Sequence, residues 1–183
     1  MTLEHFLTPS NPTPLVIKEH HPRVTDITTT FSLGNIFGLK KSEESNVCSL
    51  YTYDNTKCTL YKDGSVVCVG TKSLNEIKVV VKKLKRHLNE SGYNTHHVSI
   101  KIKSVIGKVL FDFGFDLKKV YLAFLEQSRY NPELYSAVVI SDETFNSTIA
   151  VYQSGKILIK APSIEKMLFM YYHIAPKLLR YRV

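Results

Sequence analysis

The chain has 183 residues, of which 44% are hydrophobic and 22% are charged, so it can form a substantial core and is not mostly disordered. It carries 24 Lys and Arg residues against 16 Asp and Glu residues, and the resulting formal net charge of +8 favours a polyanionic partner or indicates many solvated lysines. No apolar run approaches the roughly 20 residues that span a bilayer, and the N-terminus does not resemble a secretory signal. We therefore expect a globular protein with no membrane partner.

Residues 1–22 contain four closely spaced prolines, at positions 9, 12, 14 and 22. Because proline lacks the backbone N–H that helices and strands use, this spacing predicts a loose, flexible N-terminal arm.

The next segment is typical of a β-meander. β-Branched residues are concentrated from Val24 onward, and the pairs Asp54-Asn55 and Asp63-Gly64 mark two tight turns. The pattern predicts one strand followed by a three-stranded meander.

An amphipathic helix is predicted from Ser73 to about Asn89. Ser73 and Glu76 form a capping-box pattern at its start, and Gly92 supplies a stop signal. Basic residues fall on the flank opposite the apolar stripe, so we expect the helix to pack on a sheet and present a basic side to solvent. The stripe comprises Leu74, Ile77, Val80, Val81, Leu84 and Leu88.

The second half of the chain repeats this order of elements, with a short helix added after its first strand. The turn glycines Gly64 and Gly155 are about 91 residues apart, whereas the opening strands at Ile27 and Val105 are about 78 apart, so the first half lacks about 13 residues. We interpret the chain as an internal duplication, with a shortened first repeat at 23–94 and a second repeat at 95–183.

The three cysteines, Cys48, Cys58 and Cys68, form neither an even disulfide framework nor a CxxC zinc motif. Because all three lie in strand-like sequence, we expect buried free thiols in a reducing compartment.

Alternation along the strands assigns side chains to two faces. One face is aliphatic and is the simplest one for the helices to cover, whereas the other carries small apolar groups, hydroxyls and tyrosines with few charges. Such a face is a candidate binding surface, although a second packing layer or a dimer interface would also produce it. Its members are Thr59, Tyr61, Val67 and Val69 in the first half and Ala150, Tyr152, Leu158 and Lys160 in the second.

Several segments match a known family in order. SRYNPELY, YQSGKILI and the ending HIAPKLLRYR lie in the second half, and TDITTTFSLG and SVVCVGTKSLNEIKVVVKKLKRHL lie in the first. Over about residues 23–182 the chain resembles the two repeats of the TATA-box-binding protein core. The resemblance implies an α+β fold, in which two pseudo-symmetric repeats form a saddle-shaped, curved antiparallel sheet with helices on the convex face. It also implies a general transcription initiation factor that docks its concave sheet in an AT-rich minor groove and bends promoter DNA.

Members of this family insert aromatic pairs between base steps. Tyrosines stand at three of the matching positions, Tyr135 and Tyr152 in the second repeat and Tyr61 in the first. The fourth position falls near Asn46 and Val47, where no aromatic residue aligns. The resemblance therefore implies shallower or one-sided bending.

The central asparagines of the family, which contact base edges, are replaced by Asp26 and Ser104. A carboxylate above an electronegative groove lined by acceptors is repelled unless it is protonated or paired, and Lys108 and Lys160 are cations expected to offset it. We expect weaker sequence discrimination and strong salt dependence. The implied DNA-binding set is Asp26, Thr28, Thr30, Thr59, Tyr61, Val67, Val69, Ser104, Ile106, Lys108, Leu134, Tyr135, Ala150, Tyr152, Lys156, Leu158 and Lys160.

The resemblance also implies protein partners for a monomer bound to DNA, within the RNA polymerase machinery. Glu133 matches a glutamate that contacts factor IIB, and Asn131 stands at the companion acidic position. The basic helix flank matches the contact site of factor IIA and negative regulators, although a solvated helix face has the same composition. Its residues are Lys78, Lys82, Lys83, Lys85 and Arg86.

No catalytic or metal-binding pattern stands out. The adjacent pairs His20-His21 and His96-His97 are poorly placed to chelate one ion, and no nucleophile elbow or phosphate-binding glycine loop is present in the sequence. We expect a non-enzymatic protein without a cofactor or metal, in the nucleus or, if the chain is viral, in a cytoplasmic viral replication compartment. The alternative is a protein-interaction module of the same fold that has lost specific DNA binding.

Overall fold

The computed structural model describes residues 17, 19–34, 46–95 and 98–183. Most of the expected N-terminal arm and the pair His96-His97 lie outside these residues. The chain divides into two compact units. The first unit is Thr25–Ser104, and the second unit is Val105–Val183 together with the described residues up to Val24.

The strands of the first unit are antiparallel and follow the order β2-β3-β4-β1. Tight turns at Asp54-Asn55 and Asp63-Gly64 separate β2, β3 and β4, so the predicted meander is confirmed. The strands are β1 (Arg23–Ser32), β2 (Val47–Tyr53), β3 (Thr56–Tyr61) and β4 (Ser65–Thr71).

The predicted amphipathic helix is α1, Leu74–Glu90. The Ser73 hydroxyl oxygen accepts a hydrogen bond from the N–H of Glu76 at 3.2 Å, and the Glu76 carboxylate accepts one from the N–H of Lys72 at 2.7 Å. Leu74 is 49% exposed, so the predicted apolar stripe is buried only from Ile77 onward. The buried side chains, each worth about 1.5–3 kcal/mol relative to an exposed position, are Ile77, Val80, Val81, Leu84 and Leu88.

The second unit has the strand order β5-β9-β8-β7-β6, also antiparallel. A short helix follows β5, and a long helix that includes Pro176 follows β9, as the sequence predicts. The elements are β5 (Lys101–Leu110), α2 (Leu117–Ala123), β6 (Ser128–Arg129), β7 (Ala137–Asp142), β8 (Ser147–Tyr152), β9 (Lys156–Ala161), α3 (Ile164–Leu178) and a 3₁₀ turn (Leu179–Tyr181).

The two units repeat one another in local detail. β1 and β5 have the same alternation of buried and exposed side chains along ten residues. The hydroxyls of Ser73 and Ser163 cap α1 and α3 in the same way, each accepting from the N–H three residues later. Among the described residues of the first unit, α2 has no counterpart. The two units therefore share a burial pattern and a capping arrangement, and the internal duplication stays a prediction.

The residues just before β1 are anchored within the second unit. Ile17 is fully buried, and the Tyr171 hydroxyl donates a hydrogen bond to the carbonyl oxygen of His20 at 2.5 Å. His21 Nδ1 lies 2.7 Å from the hydroxyl of Tyr172. Burial raises the pKa of Tyr171 well above its usual value, so this hydroxyl remains protonated and able to donate.

Cys58 and Cys68 are buried, as expected, but they are joined in a disulfide, so the expectation of free thiols was wrong for this pair. They oppose each other in the β3–β4 ladder, which places both side chains on the same face of the sheet. Cys48 is free and half-buried.

Within the described part of the chain, no helix is both long and apolar enough to cross a bilayer. In the same residues, no three His, Cys, Asp or Glu side chains are grouped in a way that would hold a metal ion.

Candidate nucleic-acid interface

Each unit has one strand face covered by its long helix and one face that remains partly exposed. On β4, Val66 and Cys68 are buried, whereas Val67 between them is half-exposed. On β9, Ile157 and Ile159 flank Leu158 in the same way. We call the partly exposed side of either unit its open face. The predicted assignment of side chains to two faces is confirmed.

The ladder register arranges the open face of the first unit in rows. Val67 lies opposite Thr30 on one side and Thr59 on the other, and Thr59 lies opposite Leu50. Leu50 is 73% exposed. In the neighbouring row, Lys57 on β3 is the exposed cation. This surface is therefore made of small apolar and hydroxyl groups, with a positive charge beside them.

A matching row crosses the second unit. Leu158 lies opposite Lys108 on one side and Ala150 on the other, and Ala150 lies opposite Val139, which in turn faces Arg129. Small apolar side chains thus lie between a lysine and an arginine. When an apolar strip contacts the floor of a nucleic-acid groove, cations at its two ends can reach the phosphates on both sides of that groove.

Asp26, the main departure from the family pattern, is held by the backbone of its own unit. The β1–β4 register shifts by one residue near Thr28, and Gly70 lies at this irregularity with a φ of +103°. The N–H of Gly70 donates to Asp26 Oδ1 at 2.5 Å, and the Thr28 hydroxyl lies 3.5 Å from Oδ2. The carboxylate is therefore oriented by a backbone donor of its own unit.

Tyr152 ends β8 and is half-exposed on the open face. The ammonium nitrogen of Lys156 lies 3.7 Å from the centre of its ring, a cation–π contact across the turn that joins β8 to β9. The Tyr152 ring and the Lys156 ammonium group therefore lie side by side on the open face.

The loop before β7 presents Leu134 and Tyr135, which are 79% and 61% exposed. The N–H of Tyr135 donates to the carbonyl oxygen of Asn131 at 2.7 Å, and Asn131 Oδ1 accepts from the N–H of Glu133 at 3.1 Å. The Asn131 side chain therefore shapes the loop, while the Glu133 side chain is exposed.

Among the described residues of the first unit, Tyr61 is the aromatic side chain at the corresponding end of the strands. Tyr61 is half-exposed, and its partner in the β2–β3 ladder is Val47. A depression beside the ring is lined by Asn46 and by the turn after β3. In that turn, the hydroxyl and N–H of Ser65 donate to Asp63 and hold the pKa of its carboxyl below the usual value, so Asp63 stays charged near Tyr61.

The basic side of α1 is exposed at Lys78 and Lys82. Lys83 lies 3.5 Å from Asp54, and Arg86 lies 3.7 Å from Glu90 on the next turn. Such surface pairs are weak, so the helix retains a strongly positive side.

The comparisons with known proteins agree with one another. A family model described as "Transcription factor TFIID (or TATA-binding protein, TBP)" matches residues 99–181. The TATA-box-binding protein 2 of Entamoeba histolytica is 26% identical, over 88% of this chain and 82% of its own length. The TATA-box-binding protein of Pyrodictium occultum is 24% identical, over 91% of this chain and 90% of its own length. The solved structure of Methanococcus jannaschii TBP is similar with a TM-score of 0.77 at 18% identity, covering 87% of this chain and 99% of that one.

Together these matches support the assignment of the chain to the TATA-binding protein family. The α+β fold expected from the resemblance is confirmed. The family model covers mainly the second repeat, whereas the full-length relatives and the solved structure extend over most of the chain.

The structure adds open-face residues that the sequence interpretation omitted, namely Leu50 and Lys57 in the first unit and Arg129 and Val139 in the second. Extending the strand alternation outward from the Asp54-Asn55 turn would have found Leu50 and Lys57. The hydrogen bond from Gly70 to Asp26 had no sequence signal, because it joins residues that are 44 positions apart.

Proposed function

We propose that this TATA-binding protein family member is a non-enzymatic transcription initiation factor that binds the minor groove of AT-rich duplex DNA with the open faces of its two units. One observation carries the proposal. Tyr61, Tyr135 and Tyr152 are accessible on or beside the open faces, whereas the aliphatic residues that alternate with the open-face rows are buried.

The chemistry of the open faces suits this groove. The minor groove of A·T pairs offers acceptors that barely distinguish A·T from T·A, so a surface of small apolar side chains that excludes water is compatible with either pair. Aromatic side chains can wedge between base steps, and Lys and Arg at the edges of the rows can contact phosphates. Tyr152 with Lys156 combines a wedge with a phosphate-binding cation.

The protein partners proposed from the resemblance use other surfaces. The exposed Glu133 in the Leu134-Tyr135 loop is the proposed contact for a factor-IIB-like protein, and Asn131 contributes by shaping that loop. The basic side of α1 is the proposed contact for a factor-IIA-like protein. In a eukaryotic cell, the place of action would be the nucleus.

A second candidate is a protein-interaction module that no longer binds DNA specifically. Two observations favour it, namely the carboxylate of Asp26 on the open face and the pairing of Tyr61 with Val47, an aliphatic residue, in the β2–β3 ladder.

Fluorescence anisotropy with a short AT-rich duplex distinguishes the two. The DNA-binding function predicts that log affinity falls linearly with log salt, with one phosphate contact contributing a slope of about −0.9. It also predicts a several-fold loss of affinity for the Tyr135→Ala, Tyr152→Ala double variant, because two wedges are removed. Tyr121→Ala on α2 is the matched control and should leave affinity unchanged. No binding at low salt would reject the DNA-binding function and favour the interaction module.

A further inference from the structure

The Asp26 carboxylate presents only hydrogen-bond acceptors on the open face of the first unit. An ionised carboxylate accepts about four hydrogen bonds. The Gly70 N–H uses one acceptor position, and the more distant Thr28 hydroxyl lies beside the other oxygen. Acceptor positions therefore remain, and because Asp26 is half-exposed they are accessible to a ligand.

The floor of the minor groove differs between base pairs in one donor. A·T and T·A present only the acceptors adenine N3 and thymine O2, whereas G·C adds the N2 amino group of guanine. A carboxylate opposite an A·T pair would lose its water without gaining a partner, and leaving such a group unsatisfied is costly. Opposite guanine N2, the same carboxylate would accept a charge-assisted hydrogen bond.

Groove electrostatics favour the same pair. Narrow A-tract minor grooves have an enhanced negative potential, which repels a carboxylate. A base pair that carries an exocyclic amino group in the groove places a positive dipole where Asp26 would lie. The hydrogen bond from the amino group and the weaker repulsion in the groove therefore both favour a G·C pair over an A·T pair at Asp26.

From this geometry we infer that Asp26 selects, at one position of an otherwise AT-rich site, a base pair that presents a purine N2 amino group, as G·C does. The inference rests on the proposed function, because it requires the open face to lie in the groove. At the repeat-related position the second half of the chain has Ser104, whose hydroxyl both donates and accepts and is therefore indifferent to this group. The preference consequently applies to one half of the site and gives the two-repeat protein a defined orientation on DNA.

The experiment adds the amino group to A·T pairs without changing the major-groove pattern of the pair. In a labelled AT-rich duplex, each adenine in turn is replaced by 2,6-diaminopurine, and affinities of the wild-type protein are measured at one salt concentration. A reciprocal series places G·C or inosine·C, which lacks the amino group, at the preferred position. The wild-type protein should bind about 5- to 100-fold more tightly when the amino group is present at that position.

Two variants distinguish the contact of the Asp26 carboxylate from a general effect of negative charge on DNA binding. Asp26→Asn keeps the oxygen that accepts from Gly70 but adds a donor, so its preference should fall to within about twofold. Asp54→Asn removes the same charge from the β2–β3 turn and should keep the full positional preference. The modified bases change the stiffness of the duplex in the same way for the wild-type protein and both variants. A difference in preference between the proteins therefore reports the contact of Asp26 with the amino group.

The outcomes are distinguishable. If wild-type protein binds the duplexes but is indifferent to the amino group at every position, or if Asp26→Asn has the same profile as wild type, the inference is wrong and the proposed function stands. If no duplex is bound at low salt, the proposed function fails, and this inference fails with it.

Discussion

Cys58 and Cys68 lie opposite each other on adjacent antiparallel strands, with Cα atoms 4.2 Å apart and their sulfur atoms joined. The bond links β3 to β4 on the buried side of the first unit, behind the row that contains Thr59 and Val67. The strands that carry part of the open face are thus cross-linked from the covered side.

Reduction of this bond should destabilise the first unit. Closing a loop of about ten residues is worth about 2–3 kcal/mol. Chemical denaturation with and without a reductant should show a loss of this size in the wild-type protein and no loss in the Cys58→Ala, Cys68→Ala variant. Cys48→Ala is the control and should respond as wild type does. Titration of three thiols in the unreduced, denatured protein would rule out the disulfide.

The irregularity at Gly70 predicts an unequal cost for two glycine substitutions. At Gly70, with φ +103°, an added Cβ would collide with the backbone carbonyl oxygen of Asn55, whereas at Gly92, with φ +84°, nothing lies within 4 Å. Gly92→Ala should cost about 1 kcal/mol from backbone conformation alone, and Gly70→Ala should cost more than about 2 kcal/mol. Urea denaturation measures both. Equal losses of stability in the two variants would mean that Gly70 on β4 does not lie against the carbonyl oxygen of Asn55.

His173 should titrate at lower pH than an ordinary histidine. Partial burial is the larger cause of its lowered pKa, and the Lys177 ammonium, 3.1 Å away, is the second. Because the folded-state pKa lies below the unfolded one, the stability contribution of neutral His173 is complete above about pH 6.5 and is lost as the pH falls from there toward the folded-state pKa.

An NMR titration of the His173 ring tests this relationship. Lys177→Met should raise the pKa part of the way toward the ordinary value, since burial remains, and Lys118→Met on α2 should leave it unchanged. A His173 pKa at or above 6.5 in the wild-type protein would show that the contact is absent in solution.

The two ends of the proposed interface should bend DNA unequally. The loop of Leu134 and Tyr135, together with Tyr152, would supply wedges at one end, whereas at the other end the ladder partner of Tyr61 is the aliphatic Val47. Fluorescence energy transfer between end-labelled dyes should therefore report a kink near one end. Val47→Phe should increase the bend, because it supplies the missing aromatic side chain. A symmetric bend in the wild-type protein, unaffected by Val47→Phe, would contradict this account.

The sequence predicted those parts of the fold that depend on local periodicity. Alternation in β4 and β9 assigned Val67 and Leu158 to the open face. Successive side chains of a strand point to opposite faces whatever packs against the strand. The exposure of Leu74, the first residue of α1, was not predicted, because helical spacing assigns a residue to a face but not to a depth of burial.

Features that depend on the register of a strand pair, or on contacts between distant segments, were not predicted in this way. The pairing of Cys58 with Cys68 follows from the β3–β4 register. The contact of Tyr171 with His20 joins residues 151 positions apart, in a segment that its prolines had predicted to be a loose, flexible arm. Likewise, the sequence predicted that Asp26 and Ser104 occupy related positions, but it did not predict that the N–H of Gly70 orients Asp26.

The central claim is that the open faces, and not the helical sides, contact DNA. Hydroxyl-radical footprinting with mass spectrometry measures the reactivity of each tyrosine with and without an AT-rich duplex. DNA should protect Tyr61, Tyr135 and Tyr152 and leave Tyr121 on α2 and Tyr172 on α3 unchanged. Protection of Tyr121 and Tyr172, with the other three unaffected, would contradict it.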